Sequence, residues 1–164
     1  MKPMPSFDQI LSLVKTSCTH GDCTVDENAT PKAIKIDKRD LIPVMQTLLN
    51  DPIAYFDMLS CVSGVDNGPD AGSMEIVYNL YSIPFDHHLM IKVTVPRDKP
   101  EVESVCQIWR TANWHEREIF DLFGINFLNH PDLRRILLPA DWEGHPMRKD
   151  YKHQDYYRSV KVEY

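Results

Sequence analysis

No apolar run in this sequence approaches the roughly 20 residues needed to cross a bilayer, so any tie to a membrane is expected to be indirect. Cysteine is scarce. Cys18, Cys23, Cys61 and Cys106 are too widely spaced for a disulfide framework, and no secretory signal precedes them, so reduced thiols are expected. There is no Cys-x-x-Cys, and the only close pair has four residues between its members, a spacing unsuited to zinc or an iron-sulfur cluster. A Gly-rich phosphate loop is missing too, which removes support for nucleotide binding. Positive charge is in deficit, leaving a formal net charge of −6 where a nucleic-acid binder would present a basic face. Internal repeats and low-complexity segments are absent.

What is present is an ordinary globular composition, 43% hydrophobic and 26% charged, in a chain of 164 residues, the length of one domain with a real core. The acidity lies in the front: residues 1–115 hold ten Lys/Arg against fifteen Asp/Glu, and residues 116–164 hold eight against nine. The last third is nearly balanced.

Met1 to Pro5 reads as a frayed end, and Ser6 with Gln9 as a capping box that opens a helix whose Phe7, Ile10, Leu11 and Val14 share one face. Cys23–Val25 and Lys32–Ile36 read as short strands that pair as a hairpin. A second helix, capped at Asp40 with Pro43 in its first turn, buries Leu41, Val44, Met45, Leu48 and Leu49. Tyr55–Val65 is β-prone and leads into the turn Asp66-Asn67-Gly68-Pro69-Asp70. Met74–Ile83 and His87–Val95 alternate with period two and predict an antiparallel pair. Pro100 is expected to open a helix carrying Val102, Val105, Cys106 and Trp109, and Asn113 to cap a further helix, Trp114–Phe123, closed by Gly124. This order predicts an α+β fold of two layers, a mostly antiparallel sheet with helices on one face. The domain is expected to span residues 1–124.

Residues 125–164 follow no helical or strand period and form an extended irregular strap. His130-Pro131 and His145-Pro146 mark extended chain. Phe127, Leu133, Ile136, Leu137, Leu138 and Trp142 need a surface to cover them, and the basic pairs Arg134-Arg135 and Arg148-Lys149 alternate with Asp132, Asp141, Glu143 and Asp150. So long a structureless connection is uncommon inside a compact domain unless it is functional. A partner protein is the economical host, and the tail tyrosines Tyr151, Tyr156, Tyr157 and Tyr164 suit an interface. Among chemical readings, His115, Glu116 and Glu118 do not match His-Glu-x-x-His, because residue 119 is Ile, and His87-His88 point to opposite strand faces. His130 and His145 lack a nucleophile or carboxylate dyad in a suitable motif, so structural bonds to backbone carbonyls are expected of them.

The run Glu116–Asp121, then His130-Pro131-Asp132-Leu133-Arg134-Arg135-Ile136-Leu137, then Glu143-Gly144-His145-Pro146-Met147-Arg148-Lys149-Asp150, closely resembles the signature of the C subunit of proton-translocating NADH-quinone oxidoreductase, respiratory complex I. Asn129 stands where that signature commonly has glycine, and Met147 where it has leucine. The resemblance implies a non-redox structural or assembly subunit of the hydrophilic arm that clasps the quinone-site D subunit, with the B and I subunits nearby. It also implies a position peripheral to the cytoplasmic side of the bacterial inner membrane, no homo-oligomer, and no catalytic, cofactor or metal residue in this chain. FMN, iron-sulfur clusters, NADH and quinone would belong to the complex. Carried onto this sequence, the partner-binding residues are Glu116, Arg117, Glu118, Asp121, His130, Pro131, Asp132, Leu133, Arg134, Arg135, Glu143, Gly144, His145, Pro146, Arg148, Lys149 and Asp150. Two other readings stay open: the equivalent small subunit of a membrane-bound hydrogenase or formate-oxidising complex, and a stand-alone acid-base enzyme using His115, His130 or His145.

Overall fold

The structure, a computed structural model, describes residues 5–162. The expectation of a frayed start therefore lies outside the described residues for Met1–Met4, while Pro5 is buried. Helix α1 (Phe7–Ser17) begins with both halves of the capping box: the Ser6 hydroxyl accepts from Gln9 N–H, and the Gln9 side chain accepts from Ser6 N–H. Strands β1 (Thr24–Asp26) and β2 (Ala33–Ile36) form the expected hairpin. Helix α2 (Leu41–Asn50) follows a single turn of 3-10 helix at Lys38–Asp40. Asp40 stands at its N-cap position without a side-chain cap bond, because its buried carboxylate instead accepts from Thr19 N–H and His20 N–H and pairs with the His20 ring.

Three long strands make the sheet: β3 (Met58–Asp66), β4 (Ser73–Ser82) and β5 (His87–Pro96). With β2 lying parallel beside β5, the order is β1-β2-β5-β4-β3. Register places Met74, Ile76, Tyr78 and Leu80 opposite Val95, Val93, Ile91 and Leu89, all buried, so the alternation in the sequence becomes one apolar face. Their neighbours Glu75, Val77, Asn79, His88, Lys92 and Thr94 stand on the opposite, more exposed face. The residues of α1 and α2 and of the segment beyond residue 100 join the buried face in one core.

The helix expected from Pro100 is not formed. Glu101–Glu103 is instead strand β6, paired in parallel with β7 (Asn126–Leu128), and turns follow to Thr111. Val102, Val105, Cys106 and Trp109 are all buried as the periodicity required, but the amides at its start go to distant partners, Val105 N–H to Glu116 and Ser104 N–H to Leu128 O, and only single turns such as Trp109 N–H to Val105 O form locally. Non-local partners override a local helical pattern. Helix α3 (Ala112–Phe123) crosses β3, where Gly64 lets it approach: a Cβ there would lie 2.9 Å from Phe123 and 3.0 Å from Ile119. Ile125 and Phe127 are buried in the same core, and β7 pairs with β6 just beyond Gly124.

Candidate functional site

Helix α3 is the platform on which the strap is laid. Thr111 occupies its N-cap position, so Asn113 lies inside the first turn and its expected capping role is not taken; the Asn113 carbonyl instead faces His130 Nε2 at 3.2 Å. At the other end Gly124 adopts φ 73°, and a Cβ on it would meet His145 Nε2 at 2.5 Å. The last carbonyls of a helix have no intrahelical donor. Here the strap supplies them: His145 Nδ1 lies 2.9 Å from Asp121 O, Met147 N–H donates to Leu122 O, and Arg148 Nε donates to Phe123 O at 2.7 Å. Strap cations and donors thus meet the negative end of the helix dipole.

Asp121 fixes the first half of the strap. Its fully buried carboxylate accepts three consecutive amides, from Ile136, Leu137 and Leu138, at 2.8–3.0 Å, and Arg135 at 2.7 Å. Burial pushes its pKa up, but the three amides and Arg135 outweigh that and hold it below the usual carboxylate range. Arg135 also donates to the carbonyls of Trp142 and Gly144, tying two distant stretches of strap together. The second half is fixed by Asp66, at the end of β3. Its carboxylate takes a two-point bond from Arg97 and the amides of Gly68 and Lys149, and Arg97 reaches on to Asp150. The Arg97 fork, before the burial that opposes it, keeps Asp66 well below its ordinary pKa.

Glu116 is buried on the inner face of α3 and accepts from Ser104 Oγ at 2.6 Å, Val105 N–H at 2.8 Å and Cys106 Sγ at 3.2 Å; burial raises its pKa in spite of these donors. Ligand atoms of Cys106, Glu116 and His130 lie within 4.8 Å of one another. His130 Nδ1 accepts from Asp132 N–H, which leaves the ring proton on Nε2, directed at Asn113 O. In that tautomer the imidazole has no lone pair free for a cation, and the cluster is a hydrogen-bonded core site.

The residues expected to bind a partner therefore divide in two. Glu116, Asp121, Arg135, His145, Arg148 and Asp150 have partners inside this chain, as does His130. Glu118, Pro131, Asp132, Arg134, Glu143, Gly144 and Lys149 are exposed, as is Asp150 although it pairs with Arg97, while Arg117 and Pro146 are half-buried and Leu133 packs on the core. Arg134 pairs locally with Asp132, and Arg117 lies over the Trp114 ring and donates to Arg134 O. Around them Trp114, Leu137 and Met147 are 66%, 61% and 55% exposed. Asn129 adopts φ 61°, a left-handed conformation that glycine and asparagine tolerate best. The tyrosine tail folds on the strap as a hairpin of β8 (Tyr156–Tyr157) and β9 (Val160–Lys161), with Tyr157 and Arg158 both bonded to Asp141; Tyr164 lies outside the described residues. Sequence reasoning missed Asp66 and Arg97 as strap anchors. No local signal marks them, since Lys149 follows Asp66 by 83 positions.

Residues 34–157 match the family described as respiratory-chain NADH dehydrogenase, 30 Kd subunit. The C subunit of the NADH-quinone oxidoreductase of Chlorobium phaeobacteroides is 45% identical over 141 residues, 85% of this chain and 84% of the relative. Two solved structures share the fold. The trypsin-resistant fragment (1-134) of Nqo5 gives a TM-score of 0.60 at 24% identity, over 77% of this chain and 98% of the fragment. A chain of the membrane-bound sulfane sulfur reductase, an archaeal respiratory membrane complex, gives 0.70 at 20% identity, over 88% and 85%. With the strap signature seated on α3 and the match extending from β2 into the tyrosine tail, the chain belongs to the C-subunit family of NADH-quinone oxidoreductase, the 30 Kd subunit of the respiratory-chain enzyme.

Proposed function

We propose that this chain is a non-redox assembly subunit of the peripheral arm of NADH-quinone oxidoreductase, at the cytoplasmic face of the bacterial membrane, and that residues 125–164 clasp the quinone-site D subunit. NADH, FMN, iron-sulfur clusters and quinone would be handled by other subunits, with the B and I subunits close by. The observation that carries this reading is the way the strap divides its labour. Its buried charges are satisfied against α3 and Asp66, which shapes the strap in advance, while Trp114, Leu137 and Met147 are left uncovered. Large apolar groups left exposed beside an ordered strap are candidates for cover by a partner, and ordering the strap beforehand lowers the entropy lost on docking. Sequence relatives named as C subunits of NADH-quinone oxidoreductase, at 45% identity, favour that complex over the hydrogenase reading. For His130 and His145 a stand-alone acid-base role is disfavoured, because both are committed to backbone groups; His115 lines the groove beside β3.

The test is a double substitution, Leu137→Asp with Met147→Asp, in a tagged chain recovered from gently solubilised membranes. Both side chains are exposed, so the isolated chain should keep its melting temperature, whereas recovery of the other subunits and of NADH-to-quinone activity in the eluate should fall at least about tenfold, on the order of 1.4 kcal/mol of binding. Undiminished recovery would rule this surface out as the clasp.

A further inference from the structure

The sheet has one guarded edge and one open one. At the β1 edge the strand is three residues long, and Asp26 is paired with Lys35 and Lys92. Natural edge strands are ordinarily blunted in this way, by shortness, charge or proline. At the other edge β3 is nine residues long and, among the described residues, pairs with β4 alone; past a bulge between Leu59 and Cys61, where Thr111 donates to the Leu59 carbonyl, Cys61–Val65 contains neither a charged residue nor a proline. Met58 and Val65 are also exposed, at 42% and 40%.

Beside β3 lies a groove of about 380 Å³, lined on one side by Cys61, Val62, Ser63 and Gly64, on the other by α3 residues including Leu122 and Phe123, and at its rim by Met147 of the strap, which it shares with the proposed clasp surface. Successive strand residues point to opposite faces. Four in a row lining one groove put it alongside the strand edge rather than over either face of the sheet, along about 13 Å of backbone. Glu118 lines the same groove, exposed and in no ion pair among the described residues.

We propose that β3 is a docking edge for an extended segment of a neighbouring subunit, which adds as a sixth strand, seats alternate apolar side chains against Leu122 and Phe123, and presents a lysine or arginine to Glu118. Strand addition of this kind draws affinity from main-chain hydrogen bonds and specificity from the pockets beside them. Charge complementarity favours a different chain over a second copy of this one, since a second copy brings another net charge of −6 and the same Glu118 carboxylate. The proposal rests on the assembly reading only for the source of the segment.

The experiment places the photo-crosslinker p-benzoylphenylalanine at Ser63, or at Thr94 on the open face of the sheet as a control, and purifies the complex through a tag on another subunit. The expected result is a crosslink from Ser63 to one other subunit, mapped to a segment containing a basic residue and weakened by Glu118→Gln, with none from Thr94. The amides of residues 58–66 should exchange about tenfold more slowly in the complex than in the free chain. A chain that is present in the complex but gives no Ser63 crosslink and unchanged exchange overturns the docking edge and leaves the assembly reading standing. Crosslinks between two copies overturn the choice of partner. Absence of the chain from the eluate overturns both.

Discussion

The His145 imidazole sits where α3 ends, its Nδ1 at hydrogen-bond distance from the Asp121 carbonyl and its Nε2 against Gly124. Burial and the nearby Arg148 and Arg135 push its pKa below the usual histidine value, and burial does the same to His130. A histidine whose folded-state pKa is depressed takes its proton more readily when released, so its contribution is full above about pH 6.5 and falls away as the pH drops toward the native-state value. Asp121, also depressed, adds a loss at lower pH in the same direction. Acidification from pH 7.5 to 5.5 should therefore loosen the strap, raising hydrogen exchange in residues 125–150 beyond the intrinsic pH dependence, and His145→Gln, which keeps an amide donor without a titrating group, should reduce that response to the share of His130. An exchange profile that does not change between these pH values would show that His145 is not a fastening of the strap.

At the scale of elements, the contact that sets the position of α3 is the one at Gly64. The side chains of Phe123 and Ile119 occupy the space a Cβ would need, so Gly64→Ala forces α3 away from β3 or pushes those side chains off their rotamers. Chemical denaturation should show a loss of about 1–3 kcal/mol, the usual range for overpacking a core. Gly72→Ala is a useful contrast, since nothing lies within 4 Å of its added Cβ and only the cost of its φ of 61° applies. The long strands, α1 and the α3 stop at Gly124 were legible because their signals are local: period two, a capping box, a glycine. The β6 strand was not, because its partner β7 lies more than twenty residues away and the stretch between carries helical spacing.

For the whole molecule, the strap and the domain are less separable than a boundary at residue 124 suggests. Phe127 and Ile125 fill the core, and β7 completes a pair with β6. A chain ending at Gly124 should thus lose thermal stability well beyond one ending at Asn129. Removing a buried Phe and a buried Ile alone costs on the order of 5 kcal/mol. Equal melting temperatures for the two truncations would mean that β7 belongs to the strap rather than to the body.

From sequence alone came the class of fold, the family signature and the largely irregular character of the last quarter, because composition, alternation and motif spacing are carried by neighbouring residues. Which charges in that signature look outward was decided only by tertiary structure. Asp121, Arg135 and Arg148 read in the sequence like Asp132, Arg134 and Lys149, yet the first three are bound to the end of α3 and the others face solvent. That difference depends on burial and on partners such as Asp66 and Arg97, which come together only when the strap closes over the folded sheet and helix.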